Sequence, residues 1–408
     1  MTRMILSAPL FCHAVWALAL AAVCQPALAR DRGAPADPTV LPEITAPTAY
    51  MIDVDSGRVL YARDAQRRFV PASLTKIMTS YVAFELIASG KLRLDQRFVM
   101  TPDTFRHWHG VGSTMFLGNN SSTTVAELLE GIVTVSANDG CVVLAQGIAG
   151  SVPGFTAMMN EQARRLGMRN THYNTPNGWM DEGQTYVSAQ DLATLSDALI
   201  TRHGDLYHQF YGHERAEFNG IQQNNHNPLY GHTSGADGVK TGFTGEAGYG
   251  VVGSVLRDGR RIILVLGGYS RPKDRADQSR QFAEWGFAAW DSHPIVGAGA
   301  KVGTAIVQAG TARSVDLIAP HGYALAVPHG EAPRYTLSIR YKTPLIAPIA
   351  KGEEVASLIV RAPGQPIERL PLVAARDVAA GDTVDRVRDG LAVLAQQGLP
   401  TKLRPTFR

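Results

Sequence analysis

Three short groups of residues in this 408-residue chain can do nucleophilic chemistry together: Ser73-Leu74-Thr75-Lys76, Ser136-Ala137-Asn138 and Lys240-Thr241-Gly242. A serine hydroxyl is a weak nucleophile until an adjacent base takes its proton. Lysine serves as that base only while neutral, and burial or nearby cations favour the neutral amine. Ser73 and Lys76 stand three residues apart, so a helix would put both on one face. The start of such a helix also offers free N–H groups and positive dipole to an oxyanion at Ser73. Ser136 can pass a proton between Lys76, Ser73 and a leaving amine, and Asn138 can bond a substrate carbonyl or hold Lys76. Lys240 and Thr241 can bind a carboxylate, and Gly242 removes a side chain where a substrate must come close. Each group alone also has a plainer reading: a capped helix with a surface lysine, an ordinary N-cap, a lysine-blunted edge strand. Their conjunction favours chemistry.

The flanking sequence must position these groups. Pro71 suits the first turn of a helix, and Leu74, Ile77 and Met78 repeat at helical spacing, which predicts a helix from near Ser73 to Leu86. Apolar residues 128–135, the polar stretch Ser136 to Gly140 and apolar residues 141–149 predict helix, short loop, helix. Lys240 precedes apolar runs at 249–256 and 261–266 joined by Arg257-Asp258-Gly259-Arg260, and Asp-Gly between two such runs predicts a hairpin.

Further segments extend the pattern. They are residues 50–61 with the Asp55-Ser56-Gly57 turn, residues 71–81, Leu166-Gly167-Met168-Arg169-Asn170-Thr171-His172 followed by Asn177-Gly178, Phe218-Asn219-Gly220-Ile221 with residues 224–227, and Trp285-Gly286-Phe287. On these residues the chain resembles the low-molecular-mass penicillin-binding proteins of the serine D-alanyl-D-alanine carboxypeptidase type. The resemblance implies an α/β (α+β) catalytic domain like that of β-lactamases and transpeptidases, at residues 38–293, and a small all-β domain at 294–378. It implies Ser73 as the acylated nucleophile, Lys76 as the base, and Ser136 and Asn138 as proton relay and substrate contact. Lys240 and Thr241 would hold the substrate's terminal carboxylate, and the backbone N–H groups of Ser73 and Phe243 would form the oxyanion hole. The substrate would be the peptidoglycan stem peptide, with β-lactam antibiotics as inhibitors. Ala137 stands where β-lactamases carry Asp, and Phe243 where many relatives carry a polar group. Gly267-Gly268 is followed by Tyr269-Ser270-Arg271, which makes Arg271 the candidate for an arginine that relatives place near the substrate carboxylate. Alternatives are a β-lactamase, a DD-endopeptidase and a catalytically idle envelope-binding protein. A class A β-lactamase needs a water-activating glutamate, and residues 171–180 hold no acid.

Composition bounds the rest. Arg3, the apolar stretch 5–23 and Ala27-Leu28-Ala29 form an export signal over 1–29, which places the mature protein in the periplasm or on the outer face of the cytoplasmic membrane. Of three cysteines, Cys12 and Cys24 leave with that signal, so Cys141 has no internal disulfide partner and reads as a packing residue. A net charge of +3 gives no case for nucleic acid. His107-Trp108-His109 lacks further ligands at metal spacing and reads as a surface loop. No cofactor and no metal is expected. After about Trp290, short alternating runs punctuated by Gly and Pro predict β structure. Val384, Val387, Leu391 and Leu394 mark an amphipathic tail helix over 381–397, read either as weakly attached to the inner-membrane surface or as a soluble tail.

Overall fold

The computed structural model describes residues 37–382. The expected export signal and all but two residues of the expected tail helix lie outside that span. Strands β1 (Thr48–Asp53) and β2 (Val59–Arg63) form the first hairpin. A 3₁₀ turn at Ala72–Thr75 then runs straight into α1 (Lys76–Ala88). Strands β3 (Arg97–Val99) and β4 (Ser122–Thr124) pair across α2 (Pro102–Trp108). Helices α3 (Val125–Thr134), α4 (Asn138–Ala149), α5 (Val152–Arg165), α6 (Ala189–Arg202) and α7 (Gly204–Phe210) follow. A small ribbon of β5 (Arg215–Phe218) and β6 (Ile221–Asn224) precedes β7 (Ala236–Thr244), β8 (Gly248–Arg257), β9 (Arg260–Tyr269) and α8 (Pro272–Ala288).

The principal sheet has five antiparallel strands in the order β2-β1-β9-β8-β7. Its β8–β9 turn is the predicted Asp258-Gly259, at φ 49° and 79°, the positive pair that a two-residue turn with the strands' own twist requires. Side chains alternate across β9: Ile263 and Val265 join the core made with α1, α3, α4 and α6, whereas Ile262, Leu264 and Leu266 join Phe282 and Trp285 of α8 on the other face. Two buried faces explain the unbroken apolar run at 262–266. The sheet is thus the middle of three layers. Helix α3 starts at a capping box, in which the Thr124 hydroxyl accepts from the Glu127 N–H and the Glu127 carboxylate accepts from the Thr124 N–H.

Residues from Trp290 onward are β-rich. Strands β10 (Trp290–Val296), β11 (Lys301–Gln308), β12 (Ser314–Ile318), β13 (Tyr323–Pro328), β14 (Thr336–Arg340), β15 (Leu345–Ile346), β16 (Glu354–Arg361) and β17 (Glu368–Ala374) form a six-stranded sheet, β14-β16-β17-β12-β11-β15, and the pair β10–β13. The six-stranded sheet has its own core, including Leu317, Leu358 and Leu372. The β10–β13 pair instead leans on the principal sheet: Ala326 packs with Phe282 and Trp285. The Arg58 and Arg260 guanidinium groups donate to the Ala326 and Trp290 carbonyls at 2.8 and 2.7 Å. Strand β10 therefore runs across the boundary expected at 293/294. Two local expectations also change. Ser73 lies in a 3₁₀ turn ahead of the α-helix, and His107-Trp108 close α2 with His109 as its C-cap, where a loop was expected. Thr101 caps that helix and Pro102 opens it.

Candidate active site

A cavity of about 690 Å³ opens where the 3₁₀ turn, the α3–α4 loop and β7 meet. Ser73, Ser136, Asn138, Thr241, Gly242 and Phe243 line it. In 3₁₀ geometry side chains three apart eclipse, so Lys76 sits directly beneath Ser73. The fully buried Lys76 Nζ lies 2.7 Å from the Ser73 Oγ, 2.8 Å from the Asn138 Oδ1 and 2.7 Å from the Asn177 carbonyl oxygen. The Asn138 amide nitrogen donates to the Val111 carbonyl at 3.0 Å, which turns its oxygen toward Lys76. Two obligate acceptors thus take two N–H groups, and the third position of Nζ faces Ser73. A neutral amine has two N–H groups and one lone pair, so this arrangement aims the lone pair at the serine hydroxyl. Burial lowers the Lys76 pKa to about 8, against the attraction of Cys141 and Asp139.

The α3–α4 loop is held in an uncommon shape. Ser136 has φ +65°, and the N-cap of α4 is Ala137, with no side-chain cap. Neither Ser136 nor Asn138 is an ordinary capping residue, and such strain on a non-glycine residue clusters at functional sites. The Asp139 carboxylate fastens the facing segment by accepting from the backbone N–H groups of Met115, Leu117 and Gly140 at 3.0, 3.1 and 2.9 Å.

Strand β7 closes the other side. A Cβ on Gly242 would lie 2.7 Å from the Pro71 carbonyl oxygen and 3.2 Å from the Leu74 nitrogen. Gly242 therefore lets the strand cross the Ser73 turn at contact distance, a packing role beside its place in the cavity lining. The crossing brings the backbones of Ser73 and Phe243 to one cavity. Lys240 is buried on the same strand, its Nζ donating to the Thr241 carbonyl at 3.2 Å. Burial, then the nearby Lys76 charge, depresses its pKa strongly.

Arg271 is a correction. It is the N-cap of α8 and its exposed guanidinium pairs with Asp274 at 2.7 Å, outside the cavity. Arg275, one turn later, lines the cavity instead. Pro272 was the available signal, because proline at the first helical position leaves Arg271 outside the helix and carries Arg275 into its first turn. Reading by residue type also missed Asn177, which acts through its carbonyl, and His226 and Trp179, both of which line the cavity. Burial lowers the His226 pKa, and Lys240 and Arg275 add to the effect. No carboxylate lines the cavity among the described residues. Cys141 is buried, its thiol pushed up to about 12 by burial, which suits a packing residue.

An antiparallel sheet between helical layers, with a Ser–Lys pair where a 3₁₀ turn meets the edge strand, defines a protein of the β-lactamase/transpeptidase fold class. Residues 34–270 match the D-alanyl-D-alanine carboxypeptidase family model, and residues 290–380 match that of the penicillin-binding protein 5 C-terminal domain. The chain belongs to the D-alanyl-D-alanine carboxypeptidase family. It is 33% identical to D-alanyl-D-alanine carboxypeptidase DacA of Haemophilus influenzae over 364 residues, covering 88% of this chain and 91% of that protein. Penicillin-binding protein 5 from Haemophilus influenzae superposes with a TM-score of 0.71 at 33% identity, over 83% of this chain and 99% of the other. Penicillin-binding protein D2 of Listeria monocytogenes, in its cefotaxime-bound form, has a TM-score of 0.55 at 27% identity, over 60% of this chain and 98% of that one.

Proposed function

We propose that this chain is a serine carboxypeptidase that removes the terminal D-alanine from peptidoglycan pentapeptide stems. The observation that carries the reading is the Lys76 Nζ, stripped of water, 2.7 Å from the Ser73 Oγ with its two other bonds committed. The Ser73 Oγ attacks the carbonyl carbon between the two terminal D-alanines as its proton passes to the Lys76 Nζ. The backbone N–H groups of Ser73 and Phe243 stabilise the oxyanion. The C–N bond then breaks, and the proton reaches the departing amine through Ser136, leaving an ester on Ser73. Water hydrolyses that ester and restores the hydroxyl. Asn138 holds Lys76, and Lys240, Thr241 and Arg275 hold the terminal carboxylate, whose negative charge would favour the ammonium form that burial disfavours at Lys240.

A β-lactam would acylate Ser73 by the same attack. With no carboxylate lining the cavity among the described residues to activate water, unlike class A β-lactamases, the penicilloyl ester would persist, which weighs against the β-lactamase reading. The Listeria monocytogenes relative solved with cefotaxime supports β-lactam binding. The export signal pattern at 1–29 supports work outside the cytoplasm. We read the chain as a peptidase part and a β-rich part from Trp290, a reading the two family-model matches support.

The test is release of D-alanine from diacetyl-L-Lys-D-Ala-D-Ala, with fluorescent penicillin labelling in parallel. We expect release and labelling by the natural chain and neither by Ser73→Ala. Labelling without release would leave an endopeptidase or a binding protein as the better reading.

A further inference from the structure

We propose that Tyr249 is a positioning residue that holds the Arg275 guanidinium over the cavity for the substrate carboxylate, and that Phe243 braces it. This rests on the reading of Arg275 as a carboxylate-binding group. Arg275 lacks the support a cavity arginine usually has. Its Nε is buried with no hydrogen-bond partner, and among the described residues it has no ion-pair partner. Its neighbours Lys240 and His226 are themselves basic. What it does have is an aromatic face: its guanidinium carbon lies over the Tyr249 ring, 5.6 Å from the centroid. A guanidinium within about 6 Å of a ring face is drawn by the ring's quadrupole, more so when desolvated.

The ring is in turn fixed by strand register. Tyr249 of β8 lies directly opposite Phe243 of β7. Their rings stack at 4.0 Å with 20° between planes, the kind of cross-strand aromatic pair that stabilises a sheet locally. Phe243 is 52% exposed, which burial alone would not favour for so large an apolar ring. Bracing Tyr249 gives it a use. Phe243, Tyr249 and Arg275 line the same cavity. The stack also accounts for an aromatic residue after Gly242: at that position the backbone N–H serves the reaction while the side chain supports the neighbouring strand. An arginine held by a ring keeps its N–H donors free for an incoming carboxylate, whereas a permanent acid partner would occupy them.

The experiment compares diacetyl-L-Lys-D-Ala-D-Ala with the same peptide ending in a carboxamide, using the full chain and recording Tm for each variant. The readout is the ratio of kcat/KM for the two peptides. For Tyr249→Leu we expect the ratio to fall about thirtyfold, chiefly through a higher KM for the acid, the scale of a desolvated cation–π contact. Tyr249→Phe keeps the ring and should keep the ratio. Arg275→Gln should lower the ratio at least as far, and adding Tyr249→Leu to it should lower the ratio no further. An unchanged ratio in a folded Tyr249→Leu, beside a lowered ratio in Arg275→Gln, overturns the positioning role alone. An equal fall in Tyr249→Phe and Tyr249→Leu also overturns it, because the hydroxyl would then be the active part. An unchanged ratio in Arg275→Gln overturns the carboxylate-binding reading and the positioning role with it.

Discussion

Lys76 combines full burial with three polar contacts, and both features bear on its proton. Desolvation disfavours the ammonium, and the Asn138 and Asn177 oxygens orient the amine that remains. With a pKa of about 8, the amine is the minor form at neutral pH and the major form above that value. The rate of labelling by fluorescent penicillin should therefore climb from pH 6 to about 8 and then level off, and a flat profile would point to a different base. Removing the proposed base in Lys76→Ala should slow labelling by about 10²–10⁴-fold, the usual contribution of a positioned general base, while circular dichroism shows a folded protein. The same shift affects stability. A folded pKa near 8 lies below the unfolded value of roughly 10.4. The cost of burying the charge is fully present below about 8, and between the two values only the unfolded chain still holds the proton. Stability rises with pH through that window, and Lys76→Ala should lack this part of the rise in urea titrations.

At the scale of elements, the site depends on how closely a strand crosses a turn. Gly242 lets β7 pass the 3₁₀ turn, and an added Cβ would meet the Pro71 carbonyl oxygen at 2.7 Å and Leu74 at 3.2 Å. Both neighbours include backbone atoms that cannot rotate away. Gly242→Ala should thus push the strand outward, cost about 1–3 kcal/mol as overpacking does, and reduce acylation by more than the stability loss explains. Urea unfolding and penicillin labelling on one preparation check both effects. Normal labelling with normal stability would mean that strand and turn have more freedom than the geometry implies. Legibility at this scale was uneven. The helix at 76–88, the α3–α4 loop and the Asp258-Gly259 turn were readable, since helical spacing, polar breaks and turn chemistry act among near neighbours. The 3₁₀ geometry at Ser73 was not, and that turn packs against β7, a segment distant in sequence.

Across the whole molecule, a catalytic body and a β-rich part meet through the β10–β13 pair. Ala326 packs with Phe282 and Trp285, and Arg58 and Arg260 donate to the Ala326 and Trp290 carbonyls. The six-stranded sheet of the β-rich part has its own core, including Leu317, Leu358 and Leu372. A fragment of residues 38–289 should fold and label with penicillin at the full-length rate. It should lose about 3–6 kcal/mol of stability, the scale of two hydrogen bonds from charged donors. Thermal melts with labelling kinetics check this, and failure of a soluble fragment to label would make the β-rich part integral to the site.

The residue types and spacing of the proposed reactive groups were legible in the chain itself. Ser73 and Lys76 are bound to neighbour each other by their three-residue spacing, Asp258-Gly259 turns between two apolar runs, and the alternation after Trp290 announces strands, all through forces that act over a few residues. Folding decided what depends on distant segments meeting. It chose Arg275 over Arg271 for the cavity, brought the Asn177 carbonyl to Lys76, gave Gly242 a backbone neighbour and set Tyr249 against Phe243. It also withdrew Lys76 and Lys240 from water. Desolvation and close approach are properties of the assembled interior, and no local run of residues contains them.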